Sequence, residues 1–165
     1  MISIRNFRKS DIDNQYLSWV NNSKNMKFSR HYKKRYTLKN SEIFYKKIKK
    51  KKNFFFLIEK KKLDKVEKVG TMIGHVNKKK KSCNLGILIG KKGKGYGLIA
   101  WKKAMKLIFK RGYKKIIGGT QLRNKPMIKI FKNSNMKYEK KKYKLIRGNS
   151  KKIYIVFYYK LSNLI

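Results

Sequence analysis

Hydrophobic and polar residues follow two different periods along the chain, and each change of period marks the border of an element. At the N-terminus, Ile2 and Ile4 alternate with Ser3 and Arg5, which predicts a short strand. Six further stretches alternate or are continuously apolar, and they predict strands at 54–59, 69–76, 83–89, 115–121, 136–145 and 151–159. The segments 60–68, 77–82 and 148–149 are charged or contain Gly or Asn, and they predict the turns between neighbouring strands.

Apolar residues recur at helical spacing in four other stretches. The first helix follows Ser10 and Asp11, in a sequence typical of a capping box, and Thr37 predicts the cap of the second. A third helix follows a glycine-rich loop, and a fourth spans 124–134, with Pro126 in its first turn, where the missing N–H does no harm. The inward faces predicted for the first three helices are Ile12, Tyr16, Trp19 and Val20; Leu38, Tyr45 and Ile48; and Leu98, Trp101, Ala104, Met105 and Ile108.

Length and composition predict one globular domain, residues 1–165, large enough to bury a substantial core. Hydrophobic residues make up 41% of the chain and argue against disorder. The single cysteine, Cys83, excludes an intramolecular disulfide, and we expect a small apolar strand residue there rather than a catalytic thiol. No apolar run reaches the ~18 residues of a membrane span and no signal peptide is evident, so we expect a soluble cytoplasmic protein.

The charge of the chain is extreme: 48 Lys and Arg face 7 Asp and Glu, which gives a net charge of +41. Such a balance favours anionic partners. The lysines are nevertheless spread over the whole chain and accompany many Ile, Asn, Tyr and Phe, a bias that an AT-rich genome also produces. No zinc-ligand spacing, aromatic RNA-binding signature or recognition-helix pattern accompanies them. We therefore expect no metal and no specific nucleic-acid partner.

A glycine-rich loop lies between the apolar stretch 85–89 and the third helix, and it reads Lys92-Gly93-Lys94-Gly95-Tyr96-Gly97. A strand, a glycine loop and a helix N-terminus gather backbone N–H groups around a phosphate. The loop lacks the Lys-Ser/Thr pair of a Walker loop and the spacing of a dinucleotide-binding loop. It fits the pattern [Gln/Arg]-x-x-Gly-x-Gly/Ala, with Lys in the first place.

This pattern resembles the pyrophosphate-binding motif of the Gcn5-related N-acetyltransferase (GNAT) superfamily. The Asn-led helix that begins at Asn124, and the predicted element order βααβββαβαββ, extend the resemblance over nearly the whole chain. It implies a mixed α/β GNAT fold with a mostly antiparallel sheet that splays between its fourth and fifth strands. The segment 16–30 resembles the subgroup associated with nucleotide-sugar and surface-polysaccharide pathways. The chain as a whole is also similar to ribosomal-protein acetyltransferases.

The resemblance also implies acetyl-CoA as co-substrate, with its pantetheine arm in the gap between the splayed strands. The residues that it assigns to the cofactor are the strand residues Ile87, Leu88 and Ile89, the loop residues Lys92, Gly93, Lys94, Gly95, Tyr96 and Gly97, and the helix residues Asn124 and Phe131. Phe131 occupies the place of the Tyr that donates a proton in many relatives, and it has no hydroxyl. Tyr138 or Tyr143 could substitute.

The general base is open on the sequence alone. Asn84 stands where relatives often place a Glu, and an amide cannot take up a proton. His75 on the neighbouring predicted strand is one candidate, and His31 is another. Because no carboxylate base is evident, we expect an acceptor amine of low pKa that loses its proton readily.

Trp19, Ser29, Arg30 and His31 are the residues expected to cover the acceptor. We expect direct acetyl transfer in a ternary complex to a small-molecule amine, an anionic amino sugar linked to a nucleotide. One alternative is a protein N-terminus, for example on a ribosomal protein, and another is a degenerate GNAT domain that only binds. Relatives often pair, so a homodimer is possible.

Overall fold

The computed structural model describes residues 1–29, 34–91, 95–146 and 150–161, with the backbone alone at 143–146 and 150–152. Seven strands are present: β1 (Ile2–Asn6), β2 (Phe54–Lys62), β3 (Lys65–Asn77), β4 (Ser82–Ile89), β5 (Lys115–Gln121), β6 (Lys137–Ile146) and β7 (Ser150–Lys160). The helices are α1 (Asn14–Val20), α2 (Ser23–Met26), α3 (Leu38–Lys50), α4 (Tyr96–Lys110) and α5 (Lys125–Asn133). The turn predicted at 148–149 falls largely outside the described residues.

All seven strands join one sheet in the order β1-β2-β3-β4-β5-β7-β6. Every neighbouring pair is antiparallel except β4 and β5, which are parallel. The order of elements, the mixed sheet and the position of the parallel pair confirm the fold that the sequence predicts.

The parallel pair opens along its length. Ladder pairing joins Ser82, Cys83 and Asn84 to the first three residues of β5 and ends at the pair Asn84 and Ile117. Over the described residues 85–89 and 118–121 no register pairing joins the two strands. The sheet is therefore splayed between its fourth and fifth strands, and backbone groups along both sides of the gap are left without ladder partners.

Helices cover both faces of the sheet, and each face has its own core. On the face that we call the α4 face, α4 and α5 pack on the sheet through Trp101, Ala104, Ile108 and Phe131, all at most 1% exposed. On the opposite face, the α1 face, the core consists of aromatic and aliphatic residues, namely Phe7, Tyr16, Trp19, Val20, Ile48, Phe55 and Leu57. The rings of Phe7 and Phe55 stack there with centroids 3.9 Å apart.

The segment 60–68 differs from the prediction of a charged turn. Strand β2 continues to Lys62 and β3 begins at Lys65, so the turn contains only Leu63 and Asp64. The ladder continues because lysine and glutamate can occupy exposed strand positions in register, as Lys60 and Glu67 do. Charge alone was the wrong criterion for a turn.

The N-terminal helices also differ in detail from their prediction. Asp13 rather than Ser10 caps α1, and Lys9–Asp11 forms a 3₁₀ turn. The sequence did not predict the short helix α2, which Asn22 caps. Thr37 caps α3 as predicted, but Leu38 is exposed because it lies at the first position of the helix, outside the buried face.

Candidate active site

The gap between β4 and β5 is the feature on which the site is built. Ile87 and Ile89 contribute to the core on the α4 face, whereas Leu88 contributes to the core on the α1 face. Their side chains thus fix the strand from both sides, while its backbone edge towards β5 has no ladder partner. An extended ligand arm can bond to such an edge as an added strand would.

The glycine loop ends at the N-terminus of α4, beside this gap. Gly95 is the N-cap and has φ 79°, a left-handed conformation that strains residues with a side chain. A Cβ built on Gly95 has no described atom within 4 Å, so only the backbone conformation, and not crowding, requires glycine there. Free N–H groups and the helix dipole favour an anion there. Lys92, Gly93 and Lys94 lie outside the described residues.

The start of the loop is held by the β2–β3 hairpin. The N–H groups of Gly90 and Lys91 both donate to the carbonyl of Val69, at 2.9 and 3.0 Å. The Lys91 ammonium also pairs with the carboxylate of Glu67. The loop therefore begins at a fixed point of the sheet and ends at a fixed helix cap, an arrangement that suits phosphate binding by backbone groups.

Trp19 links α1 to the end of β4. Its indole is 5% exposed and packs so closely on Gly90 that a Cβ there would lie 2.1 Å from the ring. Only glycine permits this contact. Trp19 was predicted to cover the acceptor; the structure places it beside the end of the gap, as a buried packing residue.

The segment expected to cover the acceptor is anchored at both ends. Before it, the Phe28 carbonyl accepts a hydrogen bond from Gln121 Nε2 at 3.2 Å, and the Ser29 N–H donates to Met26. After it, the Asn21 amide bonds to both the N–H and the carbonyl of Tyr36. Gln121 is the last residue of β5, so the chain between these anchors starts at the end of the gap farthest from the pair Asn84 and Ile117. We call this the open end of the gap. Arg30 and His31 lie outside the described residues.

Asn84 lies where the gap begins, on the α1 face. It is opposite His75 on β3 and Ile117 on β5 in the register of the sheet. Asn84, Gly86 and Gly119 are exposed, so this part of the α1 face is open. Strands β4 and β5 contain no acidic residue. Six of the seven acidic side chains form ion pairs within the described chain: Asp11, Asp13, Glu42, Glu59, Glu67 and Glu139.

His75 has a partly buried, hydrogen-bonded ring. Its Nδ1 lies 3.2 Å from Nδ2 of Asn53, whose Oδ1 accepts from the Val76 N–H at 2.9 Å. Because that second bond fixes the amide, Asn53 donates to Nδ1, and the neutral ring carries its proton on Nε2. Partial burial lowers the pKa of His75 and the charge of Lys51 adds to the shift, so the ring is neutral at pH 7.

The hydrogen bond between Asn53 and His75 argues against the predicted role of His75 as the general base. The only nitrogen that can accept a proton is Nδ1, which already accepts from Asn53. His75 lines a cavity of 390 Å³ with Lys51, Asn53 and Lys78, at the end of β3 away from the open end of the gap. The role stays a prediction, and the hydrogen bonding favours its alternative, in which the acceptor loses its proton to solvent.

The helix residues predicted for the cofactor have structural partners. Asn124 Oδ1 accepts from the Met127 N–H, and its Nδ2 donates to Thr120 Oγ1 at 2.8 Å, so the side chain caps α5 and ties it to β5. Phe131 is 1% exposed and packs edge-on against Trp101. Tyr138 is exposed and contacts Phe157, while the side chain of Tyr143 lies outside the described part.

Three further features of the described residues bear on function: the thiol of Cys83, the arrangement of possible metal ligands, and the length and polarity of the helices. Cys83 is fully buried, and burial raises the pKa of its thiol to about 12, so it holds its proton at neutral pH. Over the described ranges, no group of three or more His, Cys, Asp or Glu residues is placed to hold a metal ion. Among the helices described, none is both long and apolar enough to span a membrane.

The gap beside β4 and the glycine cap of α4 fit a CoA-type ligand, and comparison with known proteins agrees. The acetyltransferase (GNAT) domain model matches residues 2–137. No curated protein matches the sequence. Among solved structures, an N-acetyltransferase from Staphylococcus aureus Mu50 is 15% identical, with a TM-score of 0.81 and coverage of 98% of this chain and 99% of that one.

Two further structures show the range of proteins with this fold. The ribosomal-protein-S5-alanine acetyltransferase of Vibrio fischeri is 17% identical, with a TM-score of 0.75 and coverage of 98% and 94%. The microcin C7 self-immunity acetyltransferase MccE, in complex with acetyl-CoA and AMP, is 15% identical, with a TM-score of 0.80 and coverage of 97% and 92%. The family model spans most of the chain, and the chain therefore belongs to the GNAT acetyltransferases: it is an N-acetyltransferase whose co-substrate is acetyl-CoA.

Proposed function

We propose that the acceptor is a primary amine of low pKa on an anionic small molecule, an amino sugar linked to a nucleotide. The observation that carries this proposal is the open α1 face at Asn84, where strands β4 and β5 offer no carboxylate. An enzyme without a carboxylate base at this place needs an acceptor that is already partly neutral.

Amine pKa values quantify this requirement. At pH 7 an amine of pKa ~7.7–8.0 is roughly a tenth neutral, whereas a lysine amine of pKa ~10.4 is neutral in less than about one molecule in a thousand. The difference corresponds to ~3.5 kcal/mol of deprotonation. Neighbouring hydroxyls lower the pKa of an amino-sugar amine, and the positive charge of this protein lowers it further.

The chain's own residues would then act mainly by positioning. When bound, acetyl-CoA supplies the thioester carbonyl that the amine attacks. The free backbone edge of β4 near Ile87 and Leu88 would orient the pantetheine arm, and a strand N–H there would polarise the carbonyl oxygen. Asn84 would bond to the acceptor without taking its proton, and that proton would leave through the open face to water. Holding amine and thioester together is itself a large part of such catalysis.

Charge supports an anionic acceptor. Lys51 and Lys78 border the cavity beside His75, and six of the seven acidic side chains are already neutralised by ion pairs in the described chain. The phosphates of a nucleotide would meet uncompensated positive charge on this face. The AMP in the MccE complex is an example of a nucleotide held by a protein of this fold.

A protein N-terminus is the second candidate acceptor, because an α-amine has the same low pKa. The similarity to the Vibrio fischeri ribosomal-protein acetyltransferase over nearly the whole of both chains favours it. On this alternative the basic surface would serve docking to a ribonucleoprotein.

Release of free thiol from acetyl-CoA separates these proposals. We expect release with nucleotide-linked amino sugars, and no release with the corresponding N-acetylated sugars as the matched control. Release with peptides alone would reject the sugar and support the protein N-terminus. If acetyl-CoA binds but no acceptor gives release, the alternative of a domain that only binds gains support.

A further inference from the structure

The tip of the β2–β3 hairpin carries a group of lysines beside the glycine loop. Lys62 is directly opposite Lys65 in the register, and Lys60 is opposite Glu67. Because strand residues two apart share a face, Lys60, Lys62 and Lys65 lie on one side of the hairpin. That side is the α4 face, since Lys60 Nζ lies 5.4 Å from the ring centroid of Tyr96 in the first turn of α4. We call these three residues the hairpin lysines.

A cavity of 590 Å³ adjoins the hairpin lysines. It is lined by Gln15, Lys60, Lys62, Lys65, Val66, Glu67 and Lys68, of which Gln15 and Lys68 are on the α1 side of the hairpin. Two of its charged groups are already engaged, because Lys68 pairs with Asp13 at 2.7 Å and Glu67 pairs with Lys91. In the part of the chain that the structure describes, neither Lys62 nor Lys65 is in an ion pair. The cavity therefore has an excess of positive charge.

The pairing of Lys62 with Lys65 is unfavourable without a counter-ion. Like charges directly opposite each other on neighbouring strands destabilise a sheet, and the two-residue turn keeps these two ammonium groups on the same side. The acidic residue of the turn, Asp64, lies between them in sequence and forms no ion pair within the described chain. A bound anion would relieve the repulsion.

The position of the hairpin lysines indicates which anion this is. The hairpin is fixed to the start of the glycine loop through Val69, which accepts from Gly90 and Lys91, and to its end through the contact of Lys60 with Tyr96. The hairpin lysines are thus neighbours of the place where the backbone would bind a pyrophosphate. Coenzyme A carries a third phosphate, a monoester on its ribose, close to that pyrophosphate.

We propose that the hairpin lysines bind the ribose 3′-phosphate of coenzyme A and make this enzyme select the phosphorylated cofactor over its dephospho form. The inference rests on acetyl-CoA as co-substrate. It adds a binding site outside the glycine loop, formed by a segment whose sequence predicts only a charged turn. A phosphate monoester carries about −1.5 to −2 charges at pH 7, which matches two or three ammonium groups.

Calorimetric binding of acetyl-CoA and of acetyl-dephospho-CoA tests the site without any acceptor. The variant is the double substitution Lys62→Gln and Lys65→Gln, which leaves Lys60 on Tyr96. The matched control is the double substitution Lys79→Gln and Lys80→Gln. It removes two exposed lysines from the turn between β3 and β4, at the end of β3 away from the hairpin lysines. We expect wild type to bind acetyl-CoA at least about tenfold more tightly than the dephospho form, a difference of about 1.4 kcal/mol or more.

In the hairpin variant, we expect acetyl-CoA affinity to fall by about tenfold while dephospho affinity changes less than about twofold. The control should change neither, and added salt should reduce the wild-type preference. Equal weakening of both ligands by the hairpin variant would overturn the proposal, because it would indicate a general field of charge. A preference that survives in the variant would overturn it too. If wild type binds neither ligand, the co-substrate itself is wrong, and the inference falls with it.

The stability of the free variant is an independent measurement. Because Lys62 and Lys65 repel each other, we expect the double variant to unfold at the same temperature as wild type or higher. A lower melting temperature would contradict the argument from repulsion. If the affinity for both ligands then also fell, damage to the hairpin would explain the loss.

Discussion

The two faces of the sheet are covered to different extents. On the α4 face, α4 and α5 bury residues of six strands in one core that includes Ile2, Ile58, Met72, Leu85, Ile116 and Phe157. On the α1 face, the helices and aromatic core lie over β2, β3 and the end of β4, and the sheet is open over Asn84, Gly86 and Gly119. The cofactor side is thus formed by packed strands, helices and backbone groups, whereas the acceptor side depends on loops and individual side chains.

The largest effect on acetyl-CoA binding is expected on the cofactor side, at the N-cap of α4. Gly95→Asp should weaken acetyl-CoA binding by about a hundredfold or more, since it places a negative side chain where we expect backbone groups to bind a phosphate. Calorimetry measures the loss.

The other end of α4 provides the matched control. Gly112 also has a positive φ, 85°, and a Cβ there also meets no atom within 4 Å. Gly112→Asp should therefore cost a similar ~1–2 kcal/mol of backbone strain while leaving acetyl-CoA affinity unchanged. Equal loss of binding in both variants would mean that strain, and not the phosphate site, explains the effect.

On the α1 side, the largest effect is expected on stability, at Asp11. This carboxylate is 3% exposed, accepts two hydrogen bonds from Arg5 at 2.7 and 2.8 Å, and lies 3.4 Å from the Lys68 ammonium. Asp11→Asn should lower the free energy of unfolding by about 2 kcal/mol, because two cations lose their charged partner. Urea denaturation measures the change, and acetyl-CoA affinity should be retained.

The pH dependence of this effect follows from the pKa of Asp11. Burial alone would raise that pKa, but hydrogen bonds from Arg5 and from the Arg8 N–H outweigh it and hold the pKa below its ordinary value. The contribution to stability is therefore complete above the unfolded pKa of ~3.9 and is lost as pH falls through the folded value. The exposed pair of Lys9 and Glu42 is the control, and Glu42→Gln should cost less than about 1 kcal/mol.

The same contrast explains what the sequence could predict. The core of the α4 face and strand β5 were predicted because apolar periodicity and glycines leave a direct pattern in the sequence, and β5 has the predicted bounds, Lys115–Gln121. The predicted turn at 60–68 was wrong because register pairing decides where a hairpin turns, and that information lies in both strands together. Helix α2 depends on the Asn22 cap, a signal too short to recognise beforehand.

The roles of individual residues were harder to predict from the sequence than the strands and helices, because these roles depend on partners that are distant in sequence. The hydrogen bonds of His75 and Asn124 depend on Asn53 and Thr120, and Asn53 lies 22 residues from His75 in sequence. The packing of Trp19 depends on Gly90, from a different part of the chain. Such partners are defined by the fold. A residue type in a motif therefore predicted a position in the site better than it predicted a chemical role.

A smaller effect on stability is expected at Asn124, which caps α5 and bonds to Thr120 of β5. Asn124→Ala should lower the free energy of unfolding by about 1 kcal/mol, because the helix loses its N-cap. Asn124→Asp keeps the capping oxygen and should restore that stability, while losing the donor to Thr120. If Asn124→Asp also binds acetyl-CoA like wild type, the amide donor does not contact the cofactor.

The smallest effect is expected at His75, on the open side. Asn53→Asp keeps an oxygen for the Val76 N–H but replaces the donor to Nδ1 with an acceptor. Because the new carboxylate favours the imidazolium, the pKa of His75 should rise above its wild-type value, which burial and Lys51 hold below the ordinary range. An NMR titration of the ring protons measures this shift. No change in the pKa would mean that Asn53 does not define the protonation state of the ring.

The rate of acetyl transfer then tests what the protonation state implies. If the neutral ring carries its proton on Nε2 and bonds to Asn53 through Nδ1, it cannot take a proton from the acceptor without losing that bond. His75→Gln should accordingly lower kcat by less than about tenfold, well short of the ~10²–10⁴ expected for a general base. A loss in that larger range, together with loss of the acidic limb of the pH–rate profile, would identify His75 as the base. With the smaller loss, the acceptor amine gives its proton to water, and its own pKa limits which molecules this open face can acetylate.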